Sequence, residues 1–204
     1  MTTVSQATID RVAEELHAHN LIKFGEFTLK SGIVSPFYID LREVQSYPST
    51  YRAVTDVYAE MLDSVDESVF LAGVPEAGTP LASMTAYKLG RRLVQPRKVV
   101  KDHGTKSSVE GAYQSGDKVI LIDDLITKGD SKLEAIDQVK SAGLEIEGFL
   151  VLIDREQGGL DLVRNAGYSI EAAVTITALI TALRNQDKIS PEQFDTVINF
   201  IRSN

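Results

Sequence analysis

The chain has no cysteine, which excludes disulfide staples and thiol chemistry and fits a reducing compartment such as the cytoplasm. It lacks any apolar run long enough to span a bilayer. Its first residues, MTTVSQATIDR, lack the basic-then-apolar pattern of a secretory signal. A cytoplasmic protein with no membrane partner is therefore expected. Positive charge is also scarce: 21 Lys and Arg against 29 Asp and Glu leave a formal net charge of −8. A nucleic-acid binder presents a basic surface, so nucleic acid is not an expected partner. No repeat, low-complexity tract or linker interrupts the 204 residues, enough for one full-sized domain and too few for two.

What is present is a run of amphipathic and apolar segments. Ile9, Val12, Ala13 and Leu16 recur at helical spacing. Residues 24–41 alternate around Lys30-Ser31-Gly32, which predicts a hairpin or irregular strand pair. Tyr51, Val54, Tyr58 and Met61 mark a second helix entered after Pro48. From there strands and helices alternate. Strands are expected over 69–74, 93–99, 119–122, 147–153 and 170–176. Helices are expected over 80–89, closed by Gly90, over 132–142, closed by Gly143, and over 160–166. This alternation predicts crossover units and a mainly parallel sheet flanked by helices, an α/β fold. Ser190-Pro191-Glu192 then caps a last helix with Phe194, Val197, Ile198 and Ile201 on one face.

Two stretches do not read as scaffold. Residues 101–116, KDHGTKSSVEGAYQSG, have three glycines, a basic head and little apolar periodicity, the pattern of a lid or binding loop. Residues 119–131, VILIDDLITKGDS, carry an aliphatic run into two adjacent carboxylates and then a glycine turn. The run suits a central strand buried on both faces, and ligands of such sheets bind at the strands' carboxyl ends. The turn and the helix N-terminus after it favour an anion. Asp123 and Asp124 need hydrogen-bond donors, which vicinal hydroxyls supply. A sugar phosphate satisfies both halves; the alternative is an ordinary strand-to-turn junction with solvated acids.

The stretch 119–131 resembles the motif with which type I phosphoribosyltransferases bind 5-phosphoribosyl 1-diphosphate (PRPP). The other motifs resemble those of the orotate phosphoribosyltransferases in that family, in the family's order. FGEFTLKSGIVSPFYIDL, from Phe24, is similar to the N-terminal substrate segment. GVPEAGTPLA, from Gly73, is similar to the pyrophosphate loop. RKVVKDHGT, from Arg97, is similar to the catalytic loop, and IDREQGG, from Ile153, to the segment carrying the orotate-binding arginine.

The resemblance implies a single domain over 1–204, with about 1–45 contributing a small N-terminal hood and about 68–176 forming the core sheet. It implies transfer of phosphoribose from PRPP to orotate, giving orotidine 5′-monophosphate and pyrophosphate in de novo pyrimidine (UMP) biosynthesis. Catalytic roles fall to Lys101, His103 and Asp124. PRPP contacts fall to Lys30, Arg97, Lys98, Lys101 and His103, and to Asp123, Asp124, Leu125, Ile126, Thr127, Lys128, Gly129, Asp130 and Ser131. The basic members meet the leaving diphosphate while positive charge develops on the ribose. Orotate contacts fall to Thr127, Tyr38 and Arg155, whose guanidinium matches a carboxylate in a bidentate way. Without a ligand, Arg155 reads as a surface ion pair with Asp154 or Glu156, and Tyr38 as core. Mg²⁺ is the implied cofactor, held by pyrophosphate, ribose hydroxyls and water, with no protein residue named as its ligand. A homodimer is implied, with the loop at 101–116 closing over the neighbour's site.

The sequence departs from the family pattern at Lys128 and Asp130, where small or hydroxyl residues are usual, and at Glu76 and Ala77, where some members have Tyr-Lys. Asp130 is expected to cap the next helix and keep its charge off the phosphate. His17 and His19, without a partner pattern, read as surface residues. A phosphoribosyltransferase for a different base, or a PRPP-sensing regulator, are the other readings. The first lacks a use for Arg155; the second would need a basic face, against a pI of about 4.9. Some organisms fuse this domain to a decarboxylase, and here that activity is expected on a separate protein.

Overall fold

The structure, a computed structural model, describes residues 4–28, 32–97 and 108–203. Lys30, Lys98, Lys101 and His103 lie outside them. The chain opens with helix α1 (Gln6–Ala18), started by Ser5, whose hydroxyl accepts the Thr8 N–H. Strands β1 (Ile22–Thr28) and β2 (Val34–Ile39) pair antiparallel as the expected hairpin, a two-stranded sheet of its own. Helix α2 (Pro48–Met61) places Pro48 in its first turn, where the missing N–H costs nothing.

The main sheet has six strands in the order β5-β4-β3-β6-β7-β8. These are β3 (Phe70–Gly73), β4 (Leu93–Pro96), β5 (Val109–Glu110), β6 (Lys118–Ile126), β7 (Glu145–Asp154) and β8 (Ile170–Thr175). All pairings are parallel except that of edge strand β5 with β4. Crossovers α3 (Gly78–Leu89), α4 (Asp130–Ser141) and α5 (Gly159–Asn165) link them, as the alternation predicted. Gly90 ends α3 in the left-handed region at φ 64°, which explains the glycine there.

Val119, Ile120, Leu121 and Ile122 are wholly buried between two layers of apolar side chains. One layer joins α1, α2 and the C-terminal helices; the other lies under α4 and α5. Burying each such side chain contributes about 1.5–3 kcal/mol as an upper figure. That is why this strand sits at the centre and holds its carboxyl end still.

Four expectations need correction. Strand β6 does not stop at Ile122 but runs to Ile126, paired with β7 up to Asp154, so the two aspartates belong to the strand itself. Helix α6 (Ile176–Asn185) directly follows β8 and was not expected: the apolar run continues across the junction, and only Thr175, whose hydroxyl accepts the Ala178 N–H, marks the change. Within 101–116, Val109 and Glu110 form the edge strand β5. His17 and His19 are half-buried; His19 lies 2.9 Å from the Thr50 hydroxyl and against the Tyr47 ring. Helix α7 (Pro191–Ser203) begins as expected: Ser190 and Gln193 exchange side-chain-to-backbone bonds of 3.1 and 2.9 Å.

Candidate active site at the carboxyl end of the central strands

Strands β3 and β6 are neighbours, and each feeds a helix at its carboxyl end. Neither α3 nor α4 has a side-chain cap on its first turn. The residues at the cap position are Ala77 and Gly129, neither with a polar side chain to offer. Two helix N-termini thus carry backbone donors with no side-chain partner, side by side at the end of one sheet, an arrangement suited to two anionic groups. The loop between β3 and α3 closes tightly on β6: the Val74 N–H bonds the Ile122 carbonyl at 2.9 Å, and a Cβ on Gly78 would lie 2.2 Å from that oxygen. The Pro75–Glu76 peptide in this loop is cis.

The turn from β6 into α4 is equally close-packed. Gly129 has φ 95°, and a Cβ there would meet the Gly159 carbonyl at 2.9 Å. A Cβ on Gly159 would meet the Thr127 carbonyl at 2.3 Å. Thr127 and Lys128 complete the turn, while Asp130 and Ser131 open α4. Asp130 is not its cap. Gly129 holds that position, because the left-handed conformation it supplies brings the backbone round before Asp130 enters the helix. Asp130 is exposed in the first turn, where the helix dipole still favours its charge.

The two aspartates differ. Asp123 is 5 % exposed, and both its oxygens are engaged: one accepts the Asp124 N–H at 2.9 Å, the other meets the ammonium of Lys132, itself 5 % exposed. From α2, the buried Tyr58 hydroxyl donates to the Asp123 carbonyl at 2.7 Å. Asp124 is partly exposed and makes no ion pair among the described residues. One of its oxygens accepts the Leu125 N–H at 2.7 Å. Burial, with the neighbouring Asp123 charge adding to it, pushes the Asp124 carboxyl up to about 7. Lys132 is a member that sequence reading missed. Its only signal was a lysine at the third position of a helix whose inward face must be covered.

The raised carboxyl has a consequence for stability. In the folded chain Asp124 takes up its proton below about 7, and in the unfolded chain only below about 3.8. Between those values the native state holds more protons, so this group's contribution falls as pH rises through the window and is flat above it. Urea unfolding of wild type and Asp124→Asn from pH 4 to pH 8 should give a difference that changes by at most about 1.4 kcal/mol per pH unit within the window. A flat difference would mean that Asp124 titrates as an ordinary carboxyl.

Arg155 follows β7, and its N–H bonds the Ile126 carbonyl at 3.0 Å, which ties it to the end of β6. It makes no ion pair with Asp154 or Glu156; those acids instead bond the backbone of Glu156 and Thr177. Its guanidinium turns inward, 5.4 Å from the centre of the Phe37 ring on the hairpin, and its Nε is buried without a partner among the described residues. Burial lowers its proton affinity, with the Tyr38 hydroxyl acting in the opposite sense. Tyr38 is half-buried and stacks obliquely on Phe27, 5.7 Å between ring centres, so it is not simply core.

Arg97 is placed elsewhere. It follows β4, two strands from β6, pairs with Glu110 at 2.5 Å, and has its carbonyl bonded by Gln138 of α4. Arg42 is a cation that sequence reading passed over. It is bridged to Asp40 at 2.6 Å and borders a 300 Å³ cavity with Glu76 and Ala77 of the β3–α3 loop and Pro80 in the first turn of α3. A larger cavity of 540 Å³ lies between the hairpin and α7 and includes none of the expected site residues.

Residues 40–189 match the phosphoribosyl transferase domain. The chain is 39% identical over 182 residues to an orotate phosphoribosyltransferase of Pyrobaculum islandicum, covering 89% of this chain and 93% of that one. It is 36% identical over 192 residues to the bifunctional enzyme PyrF/PyrE of Nostoc sp., covering 94% of this chain but only 40% of that protein. The solved structure of Leishmania donovani UMP synthase superposes with a TM-score of 0.87 at 34% identity, over 100% of this chain and 43% of the other.

Proposed function

The chain belongs to the phosphoribosyltransferase family and, within it, to the orotate phosphoribosyltransferases, and on that premise we propose that it joins orotate to PRPP, releasing pyrophosphate and forming orotidine 5′-monophosphate for UMP synthesis. The observation that carries the choice of base is Arg155. A cation tied to the end of β6, turned inward and left with a buried Nε–H that has no partner among the described residues lacks the anion that burial demands. The carboxylate of orotate supplies it; uracil, adenine and hypoxanthine do not.

The rest of the site follows from charge. The ribose 5-phosphate sits against the Thr127–Gly129 turn and the N-terminus of α4, with Lys128 offsetting the exposed Asp130. The pyrophosphate lies against the β3–α3 loop, held by backbone N–H groups. Ribose hydroxyls donate to Asp124. As the bond from C1′ to the pyrophosphate oxygen breaks, the bond from orotate nitrogen forms and positive charge passes through the ribose. Lys101 and His103, with Lys30 and Lys98, neutralise the leaving group, and the loop at 101–116 closes over the partner's site in a homodimer. Arg97, turned toward Glu110, would have to leave that pairing to join them.

Among the described residues no three acidic or histidine side chains converge as a metal cage, and Asp123 is already bound to Lys132. That donor set fits a Mg²⁺ carried in by the oxygens of PRPP and water, where it neutralises diphosphate charge. No described helix is long and apolar enough to cross a membrane. The charged, water-soluble substrates of the proposed reaction support a cytoplasmic location.

Loss of orotate absorbance in the presence of PRPP and Mg²⁺ tests the reading. Orotate should be consumed at least about a hundredfold faster than uracil is, since a site built around a buried cation rejects a base that leaves it unpaired. Adenine and hypoxanthine should give no nucleotide. Equal rates with uracil would overturn the assignment.

A further inference from the structure

We propose that Lys132 is a positioning residue for ribose binding: it holds Asp123 in a buried ion pair, so that Asp124 alone receives the vicinal hydroxyls of PRPP. The division of labour rests on the functional reading above, but its cause is in the packing. Asp123 is bounded by its own chain, by Lys132 and by α3, where a Cβ on Gly78 would lie 3.2 Å from its Oδ1. Among the described residues, both oxygens of that carboxylate are engaged and it is 5 % exposed. Asp124, one residue on and less deeply buried, accepts the Leu125 N–H on one oxygen and makes no ion pair among the described residues.

Two adjacent carboxylates at the end of a buried strand repel each other, and without a cation one of them would hold a proton. Lys132 supplies that cation from beneath, through the first turn of α4, rather than from the solvent side where the substrate arrives. The charged or titratable groups facing Asp124 are Asp123 on its own strand, Lys132 on α4 and Tyr58 on α2. Tyr58 is buried, and its proton is retained well beyond the ordinary tyrosine range by burial and by the two aspartates. Lys132 is thus the positive partner of the group among the described residues.

Carboxyl carbon NMR on the ligand-free protein tests the proposal independently of any activity. In wild type one resonance of the pair, that of Asp124, should titrate near neutral pH. In Lys132→Met both resonances should move together, and the second ionisation should rise by about one pH unit or more. Lys132→Arg should restore the wild-type pattern. A folded Lys132→Met with one unmoved titration would overturn the proposal.

Because a lone buried carboxylate threatens folding, the double variant Asp123→Asn/Lys132→Met removes both charges together. At pH 8 Asp124→Asn should lose about tenfold more PRPP affinity than this double variant does. Equal losses would mean that Asp123 itself meets the hydroxyls, and the division of roles would fall. Failure of wild type to bind PRPP would count against the functional reading, while the NMR result would still decide the role of Lys132.

Discussion

Replacing Arg155 with alanine is expected to raise the KM for orotate by roughly 10- to 150-fold while the KM for PRPP changes little. The loss corresponds to about 1.5–3 kcal/mol, the usual worth of a hydrogen bond to a charged group. The same change should not destabilise the chain. In the ligand-free protein the guanidinium is partly desolvated, packs on Phe37 and leaves Nε without a partner among the described residues, so its charge is a cost that an anionic ligand removes. Arg155→Met, which keeps an apolar stem over the ring, should therefore unfold at the same or a higher urea concentration than wild type, yet bind orotate no better than the alanine variant. Steady-state kinetics in both substrates and urea unfolding separate the two effects. An unchanged orotate KM would put the carboxylate somewhere else.

The second large effect is expected at Gly78. A methyl group there would lie 2.2 Å from the Ile122 carbonyl oxygen and 3.1 Å from the Asp123 Cα, both backbone atoms of the central strand. Neither can rotate away, so the start of α3 or the end of β6 must shift. Overpacking of this kind costs about 1–3 kcal/mol, and Gly78→Ala belongs at the upper end of that range because no flexible side chain yields. Activity should fall further than stability, since the displaced segment carries Asp123 and the β3–α3 loop proposed to hold pyrophosphate. Gly90→Ala is the control: its φ of 64° strains any Cβ, but nothing lies within 4 Å of one. It should cost about 1–2 kcal/mol and leave kcat unchanged. If the two variants proved equally mild in unfolding and in kcat, the contact between α3 and β6 would be looser than described.

The contrast between these glycines shows what the sequence disclosed and what it withheld. Gly90 was legible as a helix stop because its role is local: a left-handed residue after a periodic segment. Gly78 was not, because its role is a contact with a strand more than forty positions away in the chain. The same distinction runs through the site. The aspartates and the 127–131 turn stood out as a strand running into carboxylates and then glycine. The inward turn of Arg155 depends on the distant ring of Phe37, and the pairing of Lys132 with Asp123 on how α4 folds back under β6. Asp130 was misjudged for a local reason: an acidic residue before a helix reads as a cap, but a preceding glycine with positive φ can take the cap position. Helix α6 was hidden because apolar residues continue from β8 into it, and a strand buried on both faces and a buried helix have the same composition.

The hairpin and its surroundings draw on both ends of the chain. The Gln186 amide bonds the Asp10 carbonyl across 176 positions, and Lys188 bridges Glu14 across 174. The Phe37 ring that receives Arg155 also meets Phe200 edge to face at 6.1 Å. Such contacts contribute nothing until the intervening polypeptide exists, and their loop-closure entropy must be met before they stabilise anything. A growing chain can complete the six-stranded sheet while the inner face of α1, with Val12, Ala13 and Leu16, still lacks the cover of α6. That apolar face and Phe37 are then open to other molecules until the last two helices leave the ribosome, the interval in which a nascent chain is most exposed to aggregation and to chaperones. The wall beside the half-buried arginine accordingly waits for α7, so a chain interrupted before that helix would carry a finished sheet and an incomplete surround for Arg155.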